Sequence, residues 1–469
     1  MTQIGESIVP DGGWGWMIVF ASFMIHFVMD GITYSMGQVF LEPMMKQLSL
    51  SRASVSAIFG ILPAVTLGAG PIATVLTNMY GCRLVAIIGA CVASLGFFLS
   101  RWWANIWFYY ITIGVIGGVG FALMYLPAIV SVNLYFEKKS AFALGIAVCG
   151  SGVGTFVLSY IMDAVVNIQS WLSYPSALLI EAAIILFGIV CGFLMTPLPQ
   201  EPSEQRRLQR QAEKNLISSN APVTSENNVA NEIVEPMLPN VSIQNSPSKS
   251  FFGQIIEQID LNLLKNTAFT LFTVSNFLAS LGFNVIYNFA DDLANDSKVI
   301  KGHRTYIVMS IGLSNILGRV IIGYLGDRKW INRLLLFIIT LIISGIATII
   351  APLCGSSVIT HIGYASLFGF FSGGYVALTS IVLVDIVGKN KLSDAFGVLL
   401  LFIGIATAIG TPIVGAMRDA FSDFTRPFLW PYLIFGSCTV LSGVILFAIP
   451  FLQRKKPNGH QTEVNVEAS

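Results

Sequence analysis

Long apolar runs recur along this chain, and they constrain its fold more than any other feature of the sequence. Each run has about 20 residues or more, the length of helix that crosses the hydrocarbon core of a bilayer. Because backbone polar groups inside lipid must be paired within the segment, each run is expected to be an α-helix. Twelve runs lie near residues 15–40, 53–79, 83–100, 106–134, 140–163, 173–196, 268–291, 304–326, 333–354, 360–387, 394–418 and 430–452.

The composition agrees with this interpretation and excludes several functional classes. Only 11% of the 469 residues are charged, whereas a soluble domain carries about a quarter. We therefore predict an all-α, multi-pass integral membrane protein with 12 transmembrane helices in two six-helix halves, embedded in the lipid bilayer. The net charge of +1 and the lack of a basic tract indicate no nucleic-acid partner. The histidines and cysteines show no metal-ligand spacing, so no metal and no cofactor are predicted.

A polar stretch at residues 197–262 divides the runs into six plus six. It is rich in Asn, Ser, Glu, Gln and Pro and short of aromatic residues, which is typical of a disordered linker. Apolar residues at helical spacing over 251–259 indicate an amphipathic helix on the membrane surface. The predicted organisation is an N-terminal segment 1–13, a bundle 14–196, the linker 197–262, a second bundle 263–452 and a tail 453–469.

The distribution of Lys and Arg predicts the orientation. With the N-terminus inside, the short inner loops and the tail hold eleven of these residues and the outer loops eight, a bias that places both termini in the cytoplasm. We expect the plasma membrane as the location. The sequon at Asn295 then falls in an outer loop and is a glycosylation candidate, whereas the sequon at Asn240 lies in the cytoplasmic linker.

A lone arginine, Arg319, interrupts the eighth run about two turns before its end. An arginine inside an apolar span costs roughly 2.5–3.5 kcal/mol on insertion scales, and by default such a residue marks a substrate or ion pathway. The alternative is a structural arginine that pairs with a carboxylate between packed helices.

Several short motifs resemble one known family. Residues 10–16 read Pro-Asp-Gly-Gly-Trp-Gly-Trp, which resembles the N-terminal signature of the monocarboxylate transporter family. Residues 135–152 resemble the second signature of that family, in the fifth span. Shorter matches follow at 70–71, 275–278, 329–331 and 385–388, so that the resemblance covers residues 10 to about 420 apart from the linker.

Two loops echo each other, one in each set of six spans. The first contains Asn78 and Arg83 between spans two and three, and the second contains Asp327 and Arg328 between spans eight and nine. Two parallel halves related by an axis along the membrane normal are the architecture of the major facilitator superfamily. The second loop resembles the loop motif of that superfamily. The first is degenerate, with Thr74 and Asn78 where Gly and Asp are usual.

The family resemblance implies a carrier of organic monocarboxylates that works by alternating access. Its proton-linked lactate carriers have a lysine in span one, and an Asp four residues before an Arg in span eight. Here these positions hold about Tyr34, then Asn315 and Arg319. Residues i and i+4 share a helix face, so Asn315 is expected to orient the guanidinium, but it cannot take up a proton. The pattern therefore resembles the facilitative branch, whose substrates include aromatic amino acids, iodothyronines, creatine and carnitine.

Four further ionisable residues lie in the predicted spans. Asp385 is implicated with the span-eight arginine by the resemblance, and the alternative is a helix-end carboxylate that serves the nearby lysine loop. Asp30 and His26 lie four residues apart in span one. They replace the missing proton site, or Asp30 is the counter-ion of Arg319, or the two are a polar pair facing a neighbouring helix. Glu181 has no assigned role.

Other functions remain as alternatives to a facilitative carrier. The first is a proton-coupled symporter of lactate or pyruvate. A channel and a membrane-embedded enzyme are remote, because the sequence shows no ring of charges and no nucleophile–base pair. Several lactate-carrying relatives need a single-span accessory glycoprotein, and the sequence leaves that partner open.

Overall fold

The computed structural model describes residues 10–50, 52–167, 174–199, 201–208, 211, 261–421 and 423–450. The first nine residues, most of the predicted linker and the tail from residue 451 lie outside the described residues. The same holds for the amphipathic helix predicted at 251–259 and for the sequon at Asn240.

The N-terminal half is a bundle of helices that begins directly after the Trp-rich signature. Its elements are α1 (Gly15–Leu48), α2 (Arg52–Gly68), α3 (Gly70–Tyr80), α4 (Cys82–Leu99), α5 (Ile106–Tyr109), a π-helical segment (Tyr110–Gly117), α6 (Gly118–Tyr135), α7 (Ser140–Asn167) and α8 (Tyr174–Leu194). Inside this half, α1 packs along α7, and α4 packs on α6 and α8.

The C-terminal half repeats this architecture. Its helices are α9 (Thr267–Asp296), α10 (Lys301–Gly326), α11 (Arg333–Ile350), α12 (Val358–Val387), α13 (Leu392–Ala420) and α14 (Leu429–Ile445). Short 3₁₀ turns (Leu261–Lys265, Ala351–Leu353 and Lys389–Lys391) lie before α9, after α11 and between α12 and α13. Here α10 packs along α12, and α11 packs on α14.

The described helices match the predicted number of membrane crossings. Eleven continuous helical segments are long and apolar enough to span a bilayer, and the bent pair α2–α3 makes a twelfth. The bend of 45° was not predicted, and Pro71 in the first turn of α3 explains it. Proline has no N–H to donate to the preceding turn, so the helical ladder is interrupted there.

The first and last described segments lie at one face of the bundle, which we call the terminal face, since Ile449 and Pro450 line a cavity there together with Lys138. Trp14 Nε1 donates to the Leu194 carbonyl at 3.2 Å, so the start of α1 meets the end of α8. The Asp11 carboxylate accepts from the amides of Glu137 and Lys138 at 2.8 and 2.9 Å, which ties the same segment to the turn between α6 and α7.

The two halves meet along two main helix junctions, α7 with α10 and the bent pair α2–α3 with α13. Glycines allow close approach at both. A Cβ atom on Gly145 of α7 would stand 2.5 Å from the Arg319 carbonyl oxygen, and one on Gly70 of α3 would stand 2.8 Å from that of Gly397. Small residues at such crossings let helix backbones pack tightly in a membrane.

The predicted linker is structured at its start. Residues 202–208 are helical, and the buried Glu201 carboxylate accepts from the Cys82 amide at 2.6 Å. This bond satisfies an unpaired N–H in the first turn of α4. Burial raises the pKa of the Glu201 carboxyl, while the bonds from Cys82 and Ser203 act in the opposite direction. The start of the predicted linker is therefore held to the junction between α3 and α4.

Candidate functional site

Arg319 lies in the α7/α10 junction, where the two halves meet. Its side chain is buried, and an Nη1 hydrogen donates to the carbonyl oxygen of Val148 on α7. Its Nε has no hydrogen-bond partner among the described residues. The guanidinium is therefore only partly satisfied by the protein, although a buried charged donor is costly to leave unpaired.

Asp30 is the nearby carboxylate of the N-terminal half. It lies on α1, is half-buried and accepts a hydrogen bond from Ser151 of α7. It lies within electrostatic reach of Arg319, but the described ion pairs do not join the two side chains. The carboxylate and the guanidinium therefore face a common region without closing a direct salt bridge.

His26 is buried one turn below Asp30 on α1. Its Nδ1 lies 2.8 Å from the Ser22 carbonyl oxygen, and its ring packs edge-on against Tyr125 at 5.4 Å. The other ring nitrogen, Nε2, has no hydrogen-bond partner among the described residues. His26 thus contacts α6, and the described hydrogen bonds do not join it to Asp30.

Two stacked aromatic pairs connect the halves around this region. Tyr34 of α1 stacks with Tyr287 of α9 at 6.4 Å between ring centroids, and Tyr125 of α6 stacks with Phe396 of α13 at 6.2 Å. Tyr34, Tyr125 and Tyr287 all lie within electrostatic reach of Arg319. Arg319, Asp30 and these rings therefore line one site between the halves.

The amide of Asn315 contacts two neighbouring helices of its own half. Its Nδ2 lies within hydrogen-bond distance of three acceptors, the Tyr287 hydroxyl at 2.9 Å and the Gly369 carbonyl and Ser372 hydroxyl at 3.2 Å each, which share its two hydrogens. These partners belong to α9 and α12 of the same half. Arg319 has donors only, so Asn315 could orient the guanidinium solely through its Oδ1, and the described hydrogen bonds do not join the two side chains. Asn315 thus links α10 to Tyr287 of α9.

Asp385 lies away from Arg319, at the terminal end of α12. Its carboxylate pairs with Arg333 at 3.1 Å and is partly exposed. Of the two predicted interpretations, the structure therefore agrees with the helix-end carboxylate. The partner is corrected, because Arg333 at the start of α11 takes the place of the lysines in the following loop. A residue a turn from the helix end reaches the loops more easily than the middle of the bundle.

The second loop motif joins the halves at the terminal face. The Asp327 carboxylate accepts from the backbone amides of Ala141 and Phe142, at 3.0 and 2.8 Å, and so caps α7 from the other half. Arg333 lies 3.8 Å from the same carboxylate, and the Arg328 guanidinium covers the Tyr324 ring at 4.1 Å. Burial raises the pKa of Asp327, while these amide donors and Arg333 act in the opposite direction.

The first loop motif makes the corresponding connection with different chemistry. Asn78 Nδ2 donates to the Asp394 carboxylate in the first turn of α13 at 2.6 Å. Thr74 donates to the Ser393 carbonyl at 3.0 Å. Arg83 stacks on Phe193 within the N-terminal half, 5.3 Å from the ring centroid. The substitution of Asn for the usual Asp is thus matched by a carboxylate on the opposite side of the junction.

Several residues of the site escaped the sequence analysis. Tyr287, Tyr125 and Ser151 are ordinary span residues by composition, and only helix packing brings them to Arg319. Asp394 and Arg333 carried a weak signal, since each stands in the first turn of a helix next to a loop. Glu181 is fully buried, and neither carboxylate oxygen has a partner among the described residues.

Comparison with known proteins places the chain among transporters. The model of the Major Facilitator Superfamily matches residues 18–256 and 270–467. Monocarboxylate transporter 12-B of Danio rerio is 28% identical, covering 96% of this chain and 90% of the relative. Monocarboxylate transporter 9 of Gallus gallus is 27% identical over 93% of both chains, and monocarboxylate transporter 14 of Homo sapiens 28% over 94% of this chain and 92% of its own. These relatives confirm the predicted family resemblance.

Solved structures share the fold at low sequence identity. The proton:xylose symporter XylE, bound to 6-bromo-6-deoxy-D-glucose, matches 92% of this chain and 95% of its own with a TM-score of 0.63. FucP in the outward conformation matches 93% of this chain and 99% of its own, also with a TM-score of 0.63. Each of the two structures is 13% identical to this chain in sequence. The predicted twelve-helix fold is confirmed, and the chain is a membrane transporter, not an enzyme. It belongs to the Major Facilitator Superfamily.

Proposed function

We propose that the chain carries small organic monocarboxylates, or zwitterions that bear a carboxylate, by alternating access. The observation that supports this most is the position of Arg319, a guanidinium held between the halves with an Nε–H that has no partner among the described residues. Guanidinium presents parallel donors that match the two oxygens of a carboxylate. Arg319 would bind the substrate carboxylate, and Tyr34, Tyr125 and Tyr287 would flank the rest of the molecule.

The contacts between halves support an alternating mechanism. Hydrogen bonds join the halves at Arg319 and at the two loop motifs, so the terminal face is closed here. Opening that face requires these bonds to break together, whereas the helices within each half keep their packing. Carriers with two repeated halves alternate by rocking one half against the other around a central site.

Uptake in oocytes tests the proposal with a radiolabelled panel of lactate, pyruvate, aromatic amino acids, creatine and carnitine. For a transported compound, Arg319→Ala should lower uptake about hundredfold, since charge-assisted bonds contribute roughly 1.5–3 kcal/mol each. Arg319→Lys should recover little, because an ammonium lacks the planar fork. Arg101→Ala is the matched control, and surface protein is measured by biotinylation. Near-normal uptake by Arg319→Ala at normal surface density would refute the assignment.

Proton-coupled symport of lactate or pyruvate is the second candidate, and one observation favours it. Asp30 is a carboxylate in the central site, within electrostatic reach of Arg319. Asp30 thus lies in the region of the central site where the proton-linked relatives would carry a titratable group. Against it, Tyr34 and Asn315 occupy the two positions at which those relatives have lysine and aspartate. Facilitative transport is therefore the better-supported proposal.

The proposed orientation places the terminal face in the cytoplasm and the protein in the plasma membrane. The excess of Lys and Arg on the terminal side supports it. Asn295 lies exposed at the opposite end of α9, where a luminal enzyme would glycosylate it during synthesis. Asn295→Gln should then abolish the gel shift produced by glycosidase treatment. A protease that cleaves the chain near residue 295 in intact cells would give independent support, and cleavage within residues 212–260 would contradict the orientation.

A further inference from the structure

A cavity of about 550 Å³ opens at the terminal face, outside the central site. It lies between the turn before α7, the loop between α10 and α11 and the end of α12. Its charged lining consists of Lys138, Asp327, Arg328, Lys329, Arg333 and Asp385. Volumes of this size are usual for small-molecule and headgroup sites.

The two acids of the cavity are already engaged by the protein. Asp327 accepts from the amides at the start of α7 and lies beside Arg333, and Asp385 pairs with Arg333. These contacts neutralise the charge of Arg333, but they leave the other three cations of the cavity without a carboxylate partner. Lys138, Arg328 and Lys329 are exposed and make no ion pair with another described residue. The cavity therefore presents an uncompensated positive charge.

These three cations come from both halves of the molecule. Lys138 belongs to the turn before α7, whereas Arg328 and Lys329 follow α10. An anion that contacts all three would link the halves at the point where Asp327 already caps α7. Such a ligand binds the closed terminal face better than an open one, and a ligand shifts an equilibrium toward the state that it binds better.

An exposed apolar stripe on α10 leads to this cavity. Leu313, Leu317, Ile321 and Tyr324 are exposed and follow one another at intervals of four, four and three residues, which places them on one helix face. The stripe ends next to Arg328, whose guanidinium covers Tyr324. Trp330 is exposed just beyond it, and tryptophan is enriched at the headgroup level of a bilayer.

We propose that the cavity binds the phosphate-bearing headgroup of an anionic phospholipid, with an acyl chain along the α10 stripe. The charge complementarity identifies the headgroup, and the stripe favours a lipid over a free phosphate compound. Basic pockets next to membrane spans recognise anionic headgroups in this way. The bound lipid stabilises the closed terminal face by holding Lys138 near Arg328 and Lys329.

Lipid retention and thermal stability in nanodiscs test the site on the full-length chain. Discs of phosphatidylcholine alone are compared with discs that contain increasing phosphatidylserine or phosphatidylinositol 4,5-bisphosphate. The anionic lipid should raise the unfolding midpoint and remain bound in native mass spectrometry. Lys138→Gln and Lys329→Gln should each weaken the apparent lipid affinity about fivefold, the value expected for roughly 1 kcal/mol per cation.

Lys139→Gln is the matched control, because Lys139 neighbours Lys138 but does not line the cavity. It should leave the affinity for anionic lipid unchanged. Equal losses in Lys139→Gln and Lys138→Gln would show a diffuse surface charge effect and overturn the site. An undiminished affinity in the double variant K138Q/K329Q would also overturn it.

A soluble arm separates the lipid from a free organophosphate. Inositol hexakisphosphate is added to discs of phosphatidylcholine alone. If it stabilises the chain through Lys138 and Lys329 while anionic lipid has no effect, the cavity is a soluble-phosphate site and the lipid proposal is wrong. If only the lipid stabilises the chain, the acyl stripe is part of the site, and Leu317→Gln should weaken lipid retention.

Discussion

The two junctions between the halves occupy equivalent places in the repeat but are built differently. In the α7/α10 junction, Asp327 caps α7 and Arg319 reaches the Val148 carbonyl one helix turn or more deeper. In the α3/α13 junction, Asn78 meets Asp394 at the terminal face, and Gly70 packs on Gly397. Both are closed by polar contacts, but among the described residues only the first places a charged side chain, Arg319, in the central site.

Because of this difference, we expect the two junctions to have different roles in substrate binding and in closure of the terminal face. A substrate anion at the unpartnered Nε–H of Arg319 would bind beside the Nη1 bond to the Val148 carbonyl, so binding would act directly on the α7/α10 junction. The α3/α13 junction contains an amide–carboxylate contact at its terminal end and tight glycine packing beside it. We infer that the first junction responds to substrate and that the second serves as the support about which the halves rock. The predictions below test that division.

Of the variants below, removing the charge of Asp327 should have the largest effect on opening of the terminal face. Asp327→Asn weakens the acceptor of two amides and removes one of the two carboxylates beside Arg333, and hydrogen bonds to charged groups contribute about 1.5–3 kcal/mol. We expect the closed terminal face to lose about 2 kcal/mol, roughly a thirtyfold shift toward opening. Cys149 is buried beside Arg319. In a background that retains Cys149 as the sole cysteine, its alkylation should be faster with Asp327→Asn than without it. Asp385→Asn should have a smaller effect, and equal rates for both variants would contradict the special role of the cap.

Restoring the usual Asp at position 78 of the first loop motif should weaken the α3/α13 junction. Asn78→Asp sets two carboxylates against each other, a repulsion of about 1 kcal/mol in water, or roughly fivefold in the opening equilibrium. The effect stays below that of Asp327→Asn, because one carboxyl can take up a proton. The double variant N78D/D394N should recover transport, since it exchanges the donor and the acceptor. Failure of that rescue would mean that the contact does not govern closure.

The Asp30→Asn variant tests whether Arg319 in the α7/α10 junction needs a counter-ion when no substrate is bound. Asp30 contacts Ser151 of α7, and it would neutralise Arg319 while the unloaded carrier reorients. Asp30→Asn should then lower net uptake about threefold more than exchange, the scale of a partly exposed ion pair. Exchange never requires the empty carrier to cross. Equal loss of both would point to a binding or folding defect.

The smallest effect is expected from a proton gradient. Arg319 keeps its charge at any relevant pH, and Asn315 and Tyr34 replace the titratable residues of the proton-linked relatives. Initial uptake at outside pH 6 and pH 8 should differ by less than about twofold for a process controlled by such a cation. A large acid stimulation together with substrate-dependent acidification of the cytosol would favour Asp30 as a proton site.

Much of the fold follows from local chemistry that can be read along the chain. Each apolar run has to close its own backbone hydrogen bonds, so helix number and approximate position follow from run length. The same logic located Arg319, since a charge in an apolar span requires a polar surrounding. The bend at Pro71 was also available in principle, because proline interrupts a helical ladder.

The partners of the polar residues could not be obtained in this way. Asn315 shares a helix face with Arg319, yet the described hydrogen bonds of its amide go to Tyr287 of α9 and to Gly369 and Ser372 of α12. Asp385 was a candidate for the central site, but it lies at the helix end, where it forms an ion pair with Arg333. In both cases the choice depended on which side chains other helices brought within about 3 Å, the range of a hydrogen bond.

The sequence by itself determined that this protein is a bundle of twelve spans in two halves, with a costly arginine inside the eighth. These properties depend on segment length and on the free energy of placing each residue in lipid, which are local quantities. Tertiary structure alone decided that Asp327 caps α7, that Asn78 meets Asp394, and that Arg319, Asp30 and three tyrosines surround one site. Hydrogen bonds and stacking act over a few ångströms, so their partners are fixed only when helices distant in sequence have packed.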